Sequence, residues 1–188
     1  MIISLETAKN FMNDTSNAND STITALIKAA EEIINGMINQ NIMIKTVTYR
    51  FTGNNSDRYV IPRFPVNSIT SLKYRNNPSE TWETLTVNTD YFVTADEKLT
   101  EIYYSVGFYS NVEYQIVMST GYATAPDDVR LVAMQMVKVF FDETPKGDDR
   151  LAVTSVSEAQ QMMTVNKVYK DLTPAWQRLL SPYTIPVQ

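Results

Sequence analysis

The apolar residues of this chain change period twice, and that double change limits the fold more than any other feature. Ile23, Leu26, Ile27, Ala30, Ile34, Met37 and Ile38 recur at i, i+3, i+4 and i+7, the spacing of one helix face. From Ile42 onward the chain turns β-branched and aromatic, and Val47, Tyr49 and Phe51 alternate strictly. After Gly121 the helical period returns: Val129, Val132, Ala133, Val137 and Phe140 form one stripe, with Met136 beside it. Helix, β insert, helix is the expected order.

Local signals refine this frame. Ser4 can cap a short helix over Leu5–Met12, with Leu5, Ala8, Phe11 and Met12 as its apolar positions and Glu6 at the positive end of its dipole. The Asn/Asp-rich stretch 13–20 reads as a loop, and Asp20 or Ser21 caps the second helix, which Asn39 or Asn41 can end. Gly53–Asp57, GNNSD, is a hairpin turn signal, with Tyr59–Pro62 as the return strand. Further strands are expected over Ser68–Tyr74, Glu83–Val87, Tyr91–Thr94, Glu101–Val106 and Val112–Met118. Many short strands at close spacing point to a compact antiparallel sheet or small barrel.

Pro126, with Asp127 and Asp128 behind it, opens a long helix to about Phe141. Leu131, Met134 and Phe141 fall outside its main stripe, so a second buried side is expected, between subunits in a chain of this size. Residues 142–149 are polar and read as a loop, and from Arg150 to Lys170 neither period wins. Thr173 and Pro174 then start a short helix through Trp176, Leu179 and Leu180, which Ser181-Pro182 stops. The expected fold is therefore α+β. A helical bundle forms from an N-terminal helix pair (1–41) and a long helix (121–143). It carries an antiparallel sheet or small-barrel insert (42–120) and an extended C-terminal arm with a short terminal helix (144–188).

Composition narrows the chemistry. The chain of 188 residues has neither Cys nor His. That removes thiolate nucleophiles, the usual zinc ligands, disulfides and the commonest general base near neutral pH. No Gly-rich run precedes a helix with Lys-Ser/Thr, no metal pattern is present, and no triad can be built without His. No catalytic residue, metal ligand or cofactor is expected. The formal net charge of −5 argues against a dedicated DNA-binding surface. No apolar run approaches the ~20 residues of a membrane span, and MIISLETAKN lacks the basic start of a signal peptide.

Three patterns have two readings each. Tyr49-Arg50-Phe51, Arg58-Tyr59 and Lys73-Tyr74-Arg75 interleave rings with cations, as a nucleic-acid platform would. Alternation across a sheet, rings inward and charges outward, explains the same residues. Asp127-Asp128 resembles a metal pair but suits a helix start better, and Asp148-Asp149 beside Arg150 reads as a solvated loop.

The arm carries Met162, Met163, Val165 and Tyr169, too much apolar surface to leave in water. It ends in a cluster of Trp176, Leu179, Leu180 and Tyr183 that looks like an interface anchor. The apolar tail IPVQ is expected to be held by a neighbouring subunit.

Four segments together resemble the phage head–tail connector family, also called adaptor or head-completion proteins. These are the opening ISLETAKNFM with DSTITALIKAAEEIINGM, then FPVNSITSLKYR (Phe64–Arg75), GYATAPDDVRLVAMQMVKVFFDE (Gly121–Glu143) and TPAWQRLLSPYT. They follow the family's "FPV-x-SI-x-S", "GY-x-x-x-P-x-D-V" and "P-x-x-x-x-LL-x-PYR" patterns in order, except that Thr184 stands where the last Arg belongs. The resemblance implies a homo-oligomeric ring of about a dozen copies beneath the portal protein, a closed cyclic assembly. Double-stranded DNA would pass through it without specific binding, and a stopper or tail-completion protein would attach. No membrane is involved, and the protein would be assembled in the host cytoplasm into the virion. Other readings remain: a stopper or tail-completion protein, a binding module, or a small hydrolase using carboxylates among Glu83, Asp90, Asp96, Glu97 and Glu101.

Overall fold

A computed structural model describes residues 1–63, 65–95, 99–143 and 173–185. The chain divides into two compact units: residues 1–39 with 124–188, and residues 40–123. Helices and strands are segregated between them, so the fold is α+β with antiparallel sheets.

The first unit is helical. α1, Leu5–Met12, is capped by Ser4, whose hydroxyl accepts the Thr7 N–H, and it ends at Asn13 in the left-handed conformation. A 3-10 turn, Asn17–Asn19, capped by Ser16, leads into α2, Asp20–Ile38, which ends at a left-handed Asn39. Lys9 bonds Asp20 at 2.6 Å and ties α1 to the start of α2. Of the α2 stripe, Ile23, Ile27, Ala30, Ile34 and Ile38 are buried, whereas Leu26 and Met37 are half-buried. α3, Asp127–Glu143, packs on both α1 and α2. Val129, Val132, Ala133, Met136 and Val137 are buried, whereas Phe140, near the end of the stripe, is only half-buried. Of the apolar residues expected to seat α1, only Ala8 is buried. Ile2 and Ile3, just before the helix, are buried instead, and Phe11 is exposed. Residues 173–180 form a last helix, α4, followed by the 3-10 turn Ser181–Tyr183.

The second unit holds seven strands: β1 Lys45–Thr52, β2 Ser56–Ile61, β3 Val66–Arg75, β4 Glu83–Leu85, β5 Tyr91–Ala95, β6 Thr100–Phe108 and β7 Glu113–Thr120. They form two antiparallel sheets, β1-β7-β3-β4 and β2-β6-β5. The inward residues of both sheets meet in one core, among them Phe51, Leu72, Ile102, Phe108, Tyr114 and Ile116. Phe51 stacks on Tyr59 of the other sheet at 3.7 Å between centroids, and Phe108 meets Tyr114 edge-on at 5.0 Å.

The expected β1–β2 hairpin does not form. β1 pairs with β7 and β2 with β6, so GNNSD carries the chain from one sheet to the other. The reason is local. A Cβ on Gly53 would overlap the backbone carbonyls of Phe108 and Tyr109, so only glycine fits this approach. Asn55 then turns left-handed at φ 58°, its N–H donating to the Phe108 carbonyl at 2.8 Å and its side-chain oxygen accepting the Ser110 N–H at 2.9 Å. The turn is fastened to the end of β6 and the β6–β7 connection as well as to β2, where the Asn54 amide donates to the Arg58 carbonyl at 3.1 Å.

Candidate functional site

The residues singled out for an interface fall into three groups. Met162, Met163, Val165 and Tyr169 lie outside the described residues. On α3, Leu131 is 37% exposed, while Met134 and Phe141 are half-buried. The C-terminal cluster behaves differently from an open anchor. Trp176 and Leu180 are each 1% exposed within the single chain. The Trp176 indole donates to Gln135 Oε1 on α3 at 2.8 Å, and the Tyr183 hydroxyl bonds both carboxylate oxygens of Asp128 at 2.9 and 3.0 Å. Leu179 and Tyr183 keep partial exposure.

The single chain accounts for the burial of two of these residues. Trp176 and Leu180 are already spent on their own subunit, because an amphipathic helix with a free groove beside it buries its apolar face there first. Of the IPVQ tail only Ile185 lies within the described residues: its N–H donates to the Ile38 carbonyl at 3.0 Å, and the Asn39 amide donates to its carbonyl at 2.9 Å. The first of these bonds satisfies a carbonyl left open at the end of α2, and the second satisfies the carbonyl of Ile185 itself. Thr184, in the place of the family's Arg, donates its hydroxyl to the Leu180 carbonyl at 3.2 Å. Asp128 accepts from Tyr183 and from the Val129 N–H, a helix-start role.

The carboxylates considered for hydrolysis have structural partners. Tyr74 bonds Glu83, Asp90 Oδ2 accepts the Thr86 N–H at 2.6 Å, and Glu101 pairs with Arg58 at 3.3 Å. Asp96 and Glu97 lie outside the described residues. Among the described residues no group of three or more Asp or Glu could hold a metal ion, and no helix is long and apolar enough to cross a membrane. Burial pushes the hydroxyls of Tyr59, Tyr91, Tyr104 and Tyr114 above the ordinary tyrosine value, and the bond to Glu83 pushes Tyr74 up to about 12.

Both outer sheet faces carry side chains of note. On β2-β6-β5, Val60, Phe92 and Tyr103 point outward; Phe92 is 48% exposed and its ring lies 6.5 Å from that of Tyr103. Sequence reasoning missed this face. The signal was present in the doublets Tyr91-Phe92 and Tyr103-Tyr104, because strict alternation turns one of two adjacent rings outward. On β1-β7-β3-β4 the interleaved pattern resolves as alternation: Phe51 is buried and Tyr49 and Tyr74 are half-buried, while Arg50 is exposed. The outward cations Arg50 and Arg75 converge on Trp82, at 5.6 and 4.6 Å from its ring.

Fold and surface thus define an α+β protein of a helical unit and a two-sheet β unit, with its unspent side chains on outer faces. A family model described as head completion protein matches residues 1–170, and the chain belongs to that family. Among solved structures, it resembles a chain in the virion of a native gene transfer agent (GTA) particle at TM-score 0.61 and 14% identity, covering 100% of this chain and 92% of that one. It also resembles a chain in the neck of an empty GTA particle computed with C6 symmetry, at TM-score 0.58 and 15% identity, with the same coverages, 100% and 92%. A third resemblance is to a chain in the neck of a native GTA particle computed with C12 symmetry, at TM-score 0.57 and 13% identity, covering 96% and 90%. No curated protein matches.

Proposed function

We propose that this protein is a structural head–tail connector subunit of a tailed phage or phage-like particle. It forms a closed ring of about a dozen copies beneath the portal, through which DNA passes and to which a stopper or tail attaches. The observation that carries the reading is the head completion match over residues 1–170. The fold likeness to chains of particle necks computed with C6 and C12 symmetry supports a cyclic arrangement.

The side chains left for assembly differ from those the sequence suggested. Leu131 is open on α3, and Met134 and Phe141 lie partly open beside it. In sequence the arm lies between α3 and α4, both in the helical unit. Its residues Met162, Met163, Val165 and Tyr169 would cover a neighbour or the portal, with α4 as the pin that closes the segment. Replacing these four residues by Ser tests the idea. The variant should match the parent in thermal unfolding as an isolated chain, yet fail to join heads to tails in electron micrographs. Normal joined particles from that variant would rule the arm out as an assembly element.

A further inference from the structure

We infer that the outer face of the β1-β7-β3-β4 sheet is a sequence-independent contact for the phosphate backbone of double-stranded DNA, centred on Arg50, Lys73 and Arg75. This rests on three observations within the β unit.

First, register gathers the cations. Arg50 of β1 pairs with Gln115 of β7, and Gln115 with Lys73 of β3, so both cations lie on one rung of the sheet. On the next rung, Thr52 faces Glu113, and Glu113 faces Arg75. Strand spacing of about 4.8 Å sets Arg50 and Lys73 about 10 Å apart at the backbone. Among the described residues the group forms one ion pair, Arg75 with Glu113 at 2.6 Å. The face is therefore locally positive on a chain whose net charge is −5.

Second, the guanidiniums are held in place. Trp82 lies under both Arg50 and Arg75, and Arg75 also donates to the Pro78 carbonyl at 2.9 Å. Stacked, bridged arginines lose less conformational freedom on meeting a phosphate. The same stacking occupies the indole, so Trp82 is not free to take an unstacked base. That favours duplex over single-stranded nucleic acid.

Third, the rest of the face suits phosphate better than protein. Its outward positions on β1 are the hydroxyls Thr46, Thr48 and Thr52, all exposed, around Arg50. Hydroxyls and cations are the usual donors to phosphate oxygens, and the apolar part of the face is small, Val117 of β7 and the Trp82 ring beneath the arginines, whereas a stable protein interface has an apolar centre, as the Val60–Phe92–Tyr103 face does.

The test is fluorescence anisotropy of a labelled random-sequence DNA duplex with the full chain, titrated with salt. The variants are R50Q/K73Q, the milder K73Q alone, and R58Q on the opposite sheet, each checked by circular dichroism for an unchanged fold. Binding should be weak for the isolated chain. R50Q/K73Q should lose at least about tenfold in affinity at low salt and flatten the log–log salt slope by about 1.8, from about 0.9 per phosphate contact. K73Q should give about half that change in slope, and R58Q should bind like the parent. Three results would each overturn the inference: no binding by the parent at low salt, equal losses in R58Q and R50Q/K73Q, or equal affinity for poly-glutamate and for DNA. The last would make the face a docking site for an acidic protein.

Discussion

Replacing Trp176 by Ala probes whether the C-terminal helix belongs to the subunit that carries it. The indole is 1% exposed, so its removal forfeits nearly its whole burial, and Trp→Ala in a packed site costs about 3–5 kcal/mol. Loss of the 2.8 Å bond to Gln135 adds little, because Gln135 is half-buried and water can reach it. For a chain of this length each kcal/mol moves the melting temperature by roughly 2–4 °C. A fall of roughly 6–20 °C is therefore expected if the helical unit melts cooperatively. Should α4 detach alone, the bonds of Tyr183 and Ile185 would have to break with it, and the exposed Arg178 would open to trypsin. Thermal unfolding by circular dichroism and trypsin cleavage at Arg178 cover both outcomes. Trp176→Phe keeps much of the apolar contact and should cost clearly less than Trp176→Ala. A loss below about 1 kcal/mol for Trp176→Ala, with Arg178 cleaved no faster, would refute the docking and return Trp176 to the list of free anchors.

Two further predictions concern the β unit. Gly53→Ala forces a methyl into the Phe108 and Tyr109 carbonyls, so it should destabilise by about 1–3 kcal/mol or more in urea unfolding; a neutral substitution would show that the sheet-to-sheet turn is not tight. In alkali, Tyr59, Tyr91, Tyr104 and Tyr114 should remain protonated beyond the ordinary value of about 10. The unfolded chain releases those protons first, so their contribution is complete below about pH 10 and is lost as pH rises through the raised native values. Tyrosinate absorbance that titrates all 11 tyrosines together near 10 in the folded protein would contradict it.

The helices were legible because their signals are local. Ser4, the α2 stripe and Asn39 each act within a few residues, and each appears where spacing placed it. The family's GY turn is legible too, once its cause is seen. Gly121 sits at φ +106°, where a Cβ would approach the Met43 carbonyl to 2.5 Å, and its N–H donates to the Pro65 carbonyl at 2.9 Å. Strand positions were largely readable, but strand partners were not. GNNSD has the composition of a hairpin turn, and only the distant Phe108 and Ser110 turn it into a sheet crossing. The packing of Trp176 and Leu180 on their own chain was hidden for the same reason. Trp176 and Leu180 look like interface anchors in sequence because nothing local reveals that α3 supplies the groove and Gln135 the acceptor. The cations of the outer sheet face were visible as residues, but their convergence on Trp82 depends on a four-strand register that alternation alone does not give.

The most direct test of the connector reading is cryo-electron microscopy of particles assembled with this chain, with the neck density traced. The account predicts about a dozen copies in one closed ring at the portal vertex, each copy with its α4 against its own α3 and residues 144–172 reaching beyond its own helical unit. A neck whose density contains no copy of this α+β fold, or particles in which the chain lies elsewhere, would contradict it.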